Sequence, residues 1–361
     1  MLNVAIVGAG IIGGNHADAI VRHPRLRVAA VVDSVPAVAA ALAARLDPPP
    51  VVCSTLADAL AAGDIDLVAI CTPSGLHVEA AEETLRAGAH LLVEKPLDVA
   101  LPKARAFAKV AAEAEARGLA CAVVSQHRFD PALVAVRQAA EEGRLGRLTS
   151  AVVSMPWFRE QSYYDSADWR GTWSYDGGGA LANQGIHLVD QMLALLGRPA
   201  EVSAQTARVS HERIEVEDLA VATIRFASGA LAVLHATTSA RPGLPVRLAV
   251  HGTQGSAVLH DDQLEYFWSV DGADVALPAA ERFGAAKEPD AFVVGHLRQY
   301  DDLVSAIETG RPPGVRVADG LLALALVRAV YVSATLGRPV DFEQVLDGAF
   351  DDVTVSTEER S

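Results

Sequence analysis

Cysteine is scarce. The 361-residue chain holds three, Cys53, Cys71 and Cys121, in no C-x-x-C or zinc-type spacing, which excludes a disulfide framework and a cysteine-ligated metal. Cys71 and Cys121 lie in apolar runs, where buried, reduced thiols are expected, as in a reducing cytoplasm. Positive charge is also short: 30 Lys and Arg face 45 Asp and Glu, a formal charge of −15. Without a basic surface to neutralise phosphates, no nucleic-acid partner is expected. Long hydrophobic runs are missing as well. The most apolar stretch, 321–336, falls short of a membrane span of about 20 residues and contains Arg328, so it reads as a core helix. The apolar start, 2–7, has no basic segment before it and runs directly into a glycine turn, so no signal peptide and no membrane partner are expected, and a cytoplasmic location is. Internal repeats, low-complexity segments and the G-x-S-x-G elbow of a serine hydrolase are absent from the sequence.

What is present divides into two rhythms. Up to residue 126, short apolar runs at 2–7, 28–33, 51–53, 67–71, 90–93 and 120–124 alternate with helical patterns at 11–22, 35–45, 55–62, 77–87 and 102–117. Strands alternating with helices imply βαβ units with right-handed crossovers. The strands are nearly all apolar rather than apolar at every second residue, as expected when helices cover both faces. The fold class is therefore α/β, beginning with a doubly wound parallel sheet over 1–126. From 127 to 345 the pattern changes to a helix at 132–142, a strand at 148–155, an aromatic-rich loop and a helix at 180–196. Strands follow at 201–209, 219–226, 230–239, 246–251, 257–260 and 264–270. This predicts a second α/β domain with an open, mainly antiparallel sheet. Closing helices, 295–309 and 319–336, are expected to pack back toward the first domain, and 346–361 reads as an acidic tail.

Gly8-Ala9-Gly10-Ile11-Ile12-Gly13 follows a predicted strand and opens a predicted helix. Gly8 permits the tight turn, Gly10 lets backbone approach a pyrophosphate, and Gly13 packs helix on strand. The helix start offers N–H groups to phosphate. Asp33 lies 20 residues beyond Gly13, where a carboxylate can accept the ribose hydroxyls of an adenosine and would repel a 2′-phosphate. The loop, including Ile11 and Ile12, with Asp33 and Ser34, is thus predicted to bind NAD in preference to NADP.

Three further stretches, Cys71-Thr72-Pro73-Ser74-Gly75-Leu76-His77, Glu94-Lys95-Pro96 and Gly177-Gly178-Gly179-Ala180-Leu181-Ala182-Asn183-Gln184-Gly185-Ile186-His187-Leu188-Val189-Asp190, combine with the glycine loop. In this order they resemble the glucose–fructose oxidoreductase/inositol dehydrogenase (Gfo/Idh/MocA) family over nearly the whole chain. The resemblance implies a second domain whose open sheet forms homodimer or homotetramer interfaces. It also implies that Thr72, Pro73 and His77 border the cofactor, that Glu94 and Lys95 line its nicotinamide end, that the Lys95–Pro96 peptide can be cis, and that Trp169 and Arg170 reach the cofactor. Inositol-dehydrogenase-like members usually carry Asp where this chain has Asn183. An amide cannot take a proton, although it can bind a hydroxyl, and Asn here resembles the branch containing dehydrogenases of nucleotide-linked sugar acids.

Chemistry points to the same residues. Removing a hydride from a carbinol carbon requires the hydroxyl proton to leave. Lys95, just past a strand's carboxyl end, can bond the reacting oxygen and stabilise alkoxide charge. Asn183 and His187 are four apart on a predicted helix and so share a face, with His187 the expected proton acceptor. Arg128 is a candidate for a substrate carboxylate or for an ion pair across the domain junction. Tyr163 belongs to a loop, 157–176, that holds three of the four tryptophans, a composition suited to sugar rings. His211, His235, His251, His260 and His296 share no ligand spacing, and no metal is expected. The expected activity is NAD-dependent hydride transfer at a secondary alcohol of a sugar, cyclitol or sugar derivative, a small-molecule substrate. The alternatives are an NAD-retaining glycosidase- or epimerase-like enzyme, or a non-catalytic NAD-binding regulator.

Overall fold

A computed structural model of the chain describes residues 1–285 and 290–359. Two compact units emerge, the first built from Met1–Gln126 with the described part of 288–321, the second from the rest.

In the first unit, β1 (Leu2–Val7), β2 (Leu26–Val32), β3 (Val51–Cys53), β4 (Leu67–Ile70), β5 (His90–Val93) and β6 (Cys121–Val123) form one sheet in the order β3-β2-β1-β4-β5-β6. Every pairing is parallel. The connecting helices are α1 (Ile11–Arg22), α2 (Pro36–Ala43), α3 (Leu56–Ala62), α4 (His77–Arg86) and α5 (Leu101–Ala116). Successive strand residues point to opposite faces, yet Val4, Ala5 and Ile6 are all fully buried, as are Leu67 to Ile70. Both faces are thus covered, which is why these strands carry no polar alternation. Pro at the first turn of α2 and α5 suits a helix start, where the missing N–H has no partner to lose. The first closing helix, α9 (Ala291–Thr309), starts four residues earlier than the apolar spacing suggested and belongs to this unit, placing Tyr300, Leu303 and Val304 in its core.

The second unit opens with α6 (Pro131–Glu141) and β7 (Leu148–Pro156), then a short helix α7 (Gln161–Tyr164) and α8 (Ile186–Leu196). Strands β8 (Pro199–Arg208), β9 (Leu219–Phe226), β10 (Leu231–Thr237), β11 (Arg247–Gly252), β12 (Gly255–His260) and β13 (Gln263–Ser269) complete most of a nine-stranded sheet. Its order is β13-β12-β11-β7-β10-β9-β8-β14, where β14 is Val340–Asp341, and β15 (Glu358–Glu359) also pairs with β8. The pairings are antiparallel except β7 with β10 and β15 with β8. Here alternation holds. Ala220, Ala222, Ile224 and Phe226 of β9 are buried, while the residues between them are exposed or half-buried. One face of this sheet is therefore covered and the other open.

Three expectations shift. The helix expected over 180–196 is two pieces, a wide π-type turn over Ala180–Gly185 followed by α8. The second closing helix, α10 (Val317–Leu336), crosses the division between units at Leu321. It is long and apolar enough to span a membrane, with mean hydropathy 1.7, but it is mostly buried within the protein. The acidic end of the chain is more ordered than its composition suggested: β15 of the tail pairs with β8, and at the tail's start α11 (Phe342–Asp347) buries Phe342 completely and is capped by the Asp341 side chain. One fully buried phenyl ring contributes about 2 kcal/mol, enough to dock so short a helix.

Candidate active site

The glycine loop has the geometry its spacing predicts. Gly8 has φ +97°, and a Cβ there would stand 2.6 Å from the Cys71 carbonyl oxygen; a Cβ on Gly13 would stand 2.0 Å from the Gly8 oxygen. Both positions exclude any side chain. Gly10 differs: a Cβ on it would meet nothing within 4 Å. The space above Gly10 is open, as a cradle for pyrophosphate requires. The exposed Ile11 side chain stands beside it. Asp33, just beyond β2, accepts hydrogen bonds from the Ala9 amide (2.9 Å) and the Val35 amide (2.8 Å), which fixes its carboxylate against the loop with Ser34 exposed next to it. These residues fit an adenine dinucleotide.

The loops after β4 and β5 lie along the same edge. Thr72 and Pro73 are half-buried. His77 does not face outward. It is fully buried, with Nδ1 2.7 Å from the Pro96 carbonyl and Nε2 2.9 Å from the Thr72 carbonyl. It thus ties the Thr72 loop to the Lys95–Pro96 loop. Burial lowers its pKa, and a neutral ring can donate to only one of those carbonyls at a time. Glu94 also turns inward. Its Oε1 receives His16 Nε2 (3.1 Å) and His296 Nε2 (3.4 Å), and Tyr300 bonds the far side of His16 (2.7 Å). Burial would raise the Glu94 carboxyl, but these hydrogen bonds hold it well below the usual range. Its other oxygen accepts the Lys95 amide at 3.0 Å, anchoring the backbone that carries Lys95, which is half-buried beside the cis Lys95–Pro96 peptide.

In the second unit the run Gly177–Gly178–Gly179 is shaped by protein. A Cβ on Gly178 would stand 2.2 Å from the Tyr331 hydroxyl, and one on Gly179 would stand 1.7 Å from the Glu217 carbonyl oxygen. The fully buried Glu217 carboxylate accepts hydrogen bonds from the amides of Gly179 and Leu181 (both 2.8 Å) and from Tyr331 (3.0 Å). Burial pushes it up to about 7 against those three bonds. Glu217 therefore holds the first turn of the π segment, a conformation common near functional sites. Between 180 and 193 every residue is buried except Asn183 and His187. The two residues singled out by spacing are the two left accessible, although Asn183 lies on the π turn and not on the same α-helix as His187. The Asn183 amide donates to Asp176 (3.2 Å).

His127 packs edge-on to His187, ring centres 5.0 Å apart. Burial opposes charge on His127, but hydrogen bonds with Asp130 (2.8 Å) and Asp262 (3.3 Å) push it up to about 10. Nothing in the spacing of the chain pointed to His127, Glu217, or the meeting of His16 with His296; these are products of folding. Among the described residues, His16–Glu94–His296 and His127–Asp130–Asp262 are the two groups whose donor atoms come close enough to hold an ion.

Arg128 is engaged. Its fork bonds both oxygens of Asp190 at 2.6 Å, with both side chains mostly buried. The ion pair expected across the domain junction thus forms inside the second unit and ties the chain entering it to α8. Tyr163, Trp169 and Arg170 meet. Arg170 lies over the rings of both (4.6 and 4.5 Å to their centres), and the Tyr163 oxygen accepts hydrogen bonds from Arg170 (2.9 Å) and Gln184 (3.2 Å).

The first unit, a doubly wound sheet with an open dinucleotide cradle and a lysine at the same edge, has the features of a dinucleotide-binding oxidoreductase domain; the second unit presents an accessible Asn and His. Residues 2–123 match the oxidoreductase family with an NAD-binding Rossmann fold, and residues 133–258 match the GFO/IDH/MocA C-terminal domain. The chain is 29% identical to an inositol 2-dehydrogenase of Rhizobium meliloti, an alignment covering 93% of this chain and 97% of that one. It is 27% identical to a levoglucosan dehydrogenase of Pseudarthrobacter phenanthrenivorans, covering 95% and 99%. Among solved structures, the WlbA dehydrogenase of Bordetella pertussis, in complex with NADH and UDP-GlcNAcA, superposes with a TM-score of 0.82 at 31% identity, covering 94% and 97%. The protein belongs to the Gfo/Idh/MocA family. It is an NAD-binding oxidoreductase of the sugar and polyol dehydrogenase type.

Proposed function

We propose that the protein oxidises a secondary hydroxyl of a sugar, cyclitol or sugar derivative by hydride transfer, with NAD preferred over NADP. The observation that carries this reading is the carboxyl edge of the six-stranded sheet, where the open Gly10 position, Asp33 and the Lys95 loop tied by His77 lie together. NAD, when bound, supplies the hydride acceptor. The Lys95 ammonium bonds the reacting oxygen and stabilises the negative charge that grows on it. His187 takes the hydroxyl proton, its ring packed edge-on against that of His127. Asn183 binds a neighbouring hydroxyl. Asp33, held by two backbone amides, receives the ribose hydroxyls and disfavours a 2′-phosphate. The likeness to a dehydrogenase solved with a nucleotide-linked sugar acid supports placing such compounds beside inositols and free sugars in a substrate panel.

Homo-oligomer formation through the open face of the nine-stranded sheet belongs to the same proposal. Val152 pairs with Val233 across β7 and β10, and both are exposed there together with Val221 and Leu231. The test of the activity is NADH absorbance with purified protein, NAD, and inositols, free sugars and nucleotide sugars. NADH formed with one class supports the reading. Silence across the panel, with NAD released only on denaturation, favours the retained-cofactor chemistry instead.

A further inference from the structure

In a chain with half again as many acids as bases, arginines find carboxylates readily. Arg22, Arg45, Arg198, Arg247, Arg311 and Arg316 all do. Two in the aromatic loop do not find one among the described residues. Arg159 is half-buried, its guanidinium 5.2 Å from the Trp157 ring centre and 5.3 Å from that of Tyr163, and its buried Nε has no hydrogen-bond partner. Arg170 lies 4.6 Å from the same Tyr163 ring centre, gives one bond to the Tyr163 oxygen, and likewise leaves its buried Nε unpartnered. Aromatic faces hold a guanidinium in place, but they do not use its in-plane donors. A buried donor left unmade is costly, and more so when charged. The nearby Asp176 accepts from the Gly171 amide (2.7 Å) and the Asn183 side-chain amide (3.2 Å). The Tyr163 oxygen already accepts two hydrogen bonds, so its own proton is directed elsewhere; burial keeps that hydroxyl protonated. Its Gln184 partner is the residue after Asn183.

We propose that Arg159 and Arg170, fixed on Tyr163, form a receptor for an anionic group of the substrate, a carboxylate or a phosphate ester, adjoining the Asn183–His187 segment. Each guanidinium presents a planar fork suited to two oxygens of such a group, and the Tyr163 O–H adds a third donor. A neutral polyol would leave these donors unsatisfied. The proposal rests on the dehydrogenase reading, narrows its substrate class to acidic sugars or nucleotide-linked sugars, and gives Arg170 to the substrate instead of to the cofactor that the family resemblance implied.

The test is binding of four probes to the full chain saturated with NADH: D-glucose, D-glucuronate, UDP-glucose and UDP-glucuronate, followed by calorimetry. At least one anionic probe is expected to bind about tenfold or more tightly than glucose, and the carboxylate and diphosphate arms identify which group is received. Arg159→Gln and Arg170→Gln are each expected to weaken that probe about tenfold, with Arg159→Gln leaving NADH affinity unchanged. If Arg159→Gln lowers the melting temperature, Arg159→Lys replaces it, keeping charge without the fork, and an approximately threefold weakening is expected. Equal binding of all four probes, no binding of any anion, or anion affinity unaffected by these substitutions overturns the receptor. Oxidation of a neutral polyol without anion binding refutes the receptor and leaves the dehydrogenase standing. Anion binding through these arginines with no NADH formed from any sugar does the reverse.

Discussion

Two glycine clusters carry the chemistry of this protein, and they are glycine-rich for opposite reasons. At Gly8–Gly13, two of the glycines are closed in by backbone while Gly10 opens onto empty space. At Gly177–Gly179 the room a side chain would need is filled by the Tyr331 hydroxyl and the Glu217 carbonyl. The first loop is small so that a ligand can approach. The second is small so that buried protein groups can grip the segment bearing Asn183 and His187. Similar sequence signals thus serve binding in one unit and positioning in the other.

The sharpest way to break this comparison is Gly179→Ala. A methyl group 1.7 Å from the Glu217 oxygen must displace buried backbone, and a loss of roughly 3 kcal/mol or more is expected, read as a fall in the denaturant midpoint. A midpoint close to that of the wild type would mean that the grip on this segment is loose. Next comes Lys95→Ala, expected to lower turnover by about a hundredfold or more while NAD affinity stays nearly intact; turnover that survives removes Lys95 from its role. Gly10→Ala should act in the opposite manner to Gly179→Ala. Its φ of −70° suits any residue, so stability should hold while NAD binding weakens by about tenfold, because the methyl occupies ligand space. Asp33→Ala should narrow the preference for NAD over NADP by about tenfold; an unchanged ratio contradicts the ribose assignment.

The smallest effect concerns pH. Glu217 is raised from 4.5 to about 7 by burial. Between those values the folded protein binds this proton more tightly than the unfolded chain does, so the group's contribution to stability is complete below 4.5 and is lost as pH rises through about 7. Glu217→Gln stays neutral and cannot lose it. The melting temperature of the wild type should therefore fall more steeply across that window than the variant's, and parallel curves would show that Glu217 titrates normally.

Much of the first unit could be read in the chain. Strand after strand there is nearly all apolar, and the glycine spacing, Asp33 and Lys95 each follow a strand end, so local pattern and tertiary position coincide. The second unit was legible as alternating strands, but its site was less so. The expected single helix over 180–196 is a π turn and then α8, because Glu217 and Tyr331, distant in sequence, claim the amides and space at its start. His77 and Glu94 were singled out through the family resemblance, but the buried partners that each takes from separate segments were not legible, since they meet only on folding.

The sequence by itself determined the doubly wound first sheet, the alternating strands of the second and the glycine loop, and it singled out Lys95, Asn183 and His187 as candidates, because periodicity and short motifs act over a few neighbouring residues. Only the tertiary structure decided which charges are spoken for. Arg128 is held by Asp190, Glu94 by two histidines and His127 by two aspartates, whereas Arg159 and Arg170 rest on aromatic rings without a carboxylate. Charge pairing is set by distance in space, and residues separated by dozens of positions come within hydrogen-bonding range only when the chain has folded.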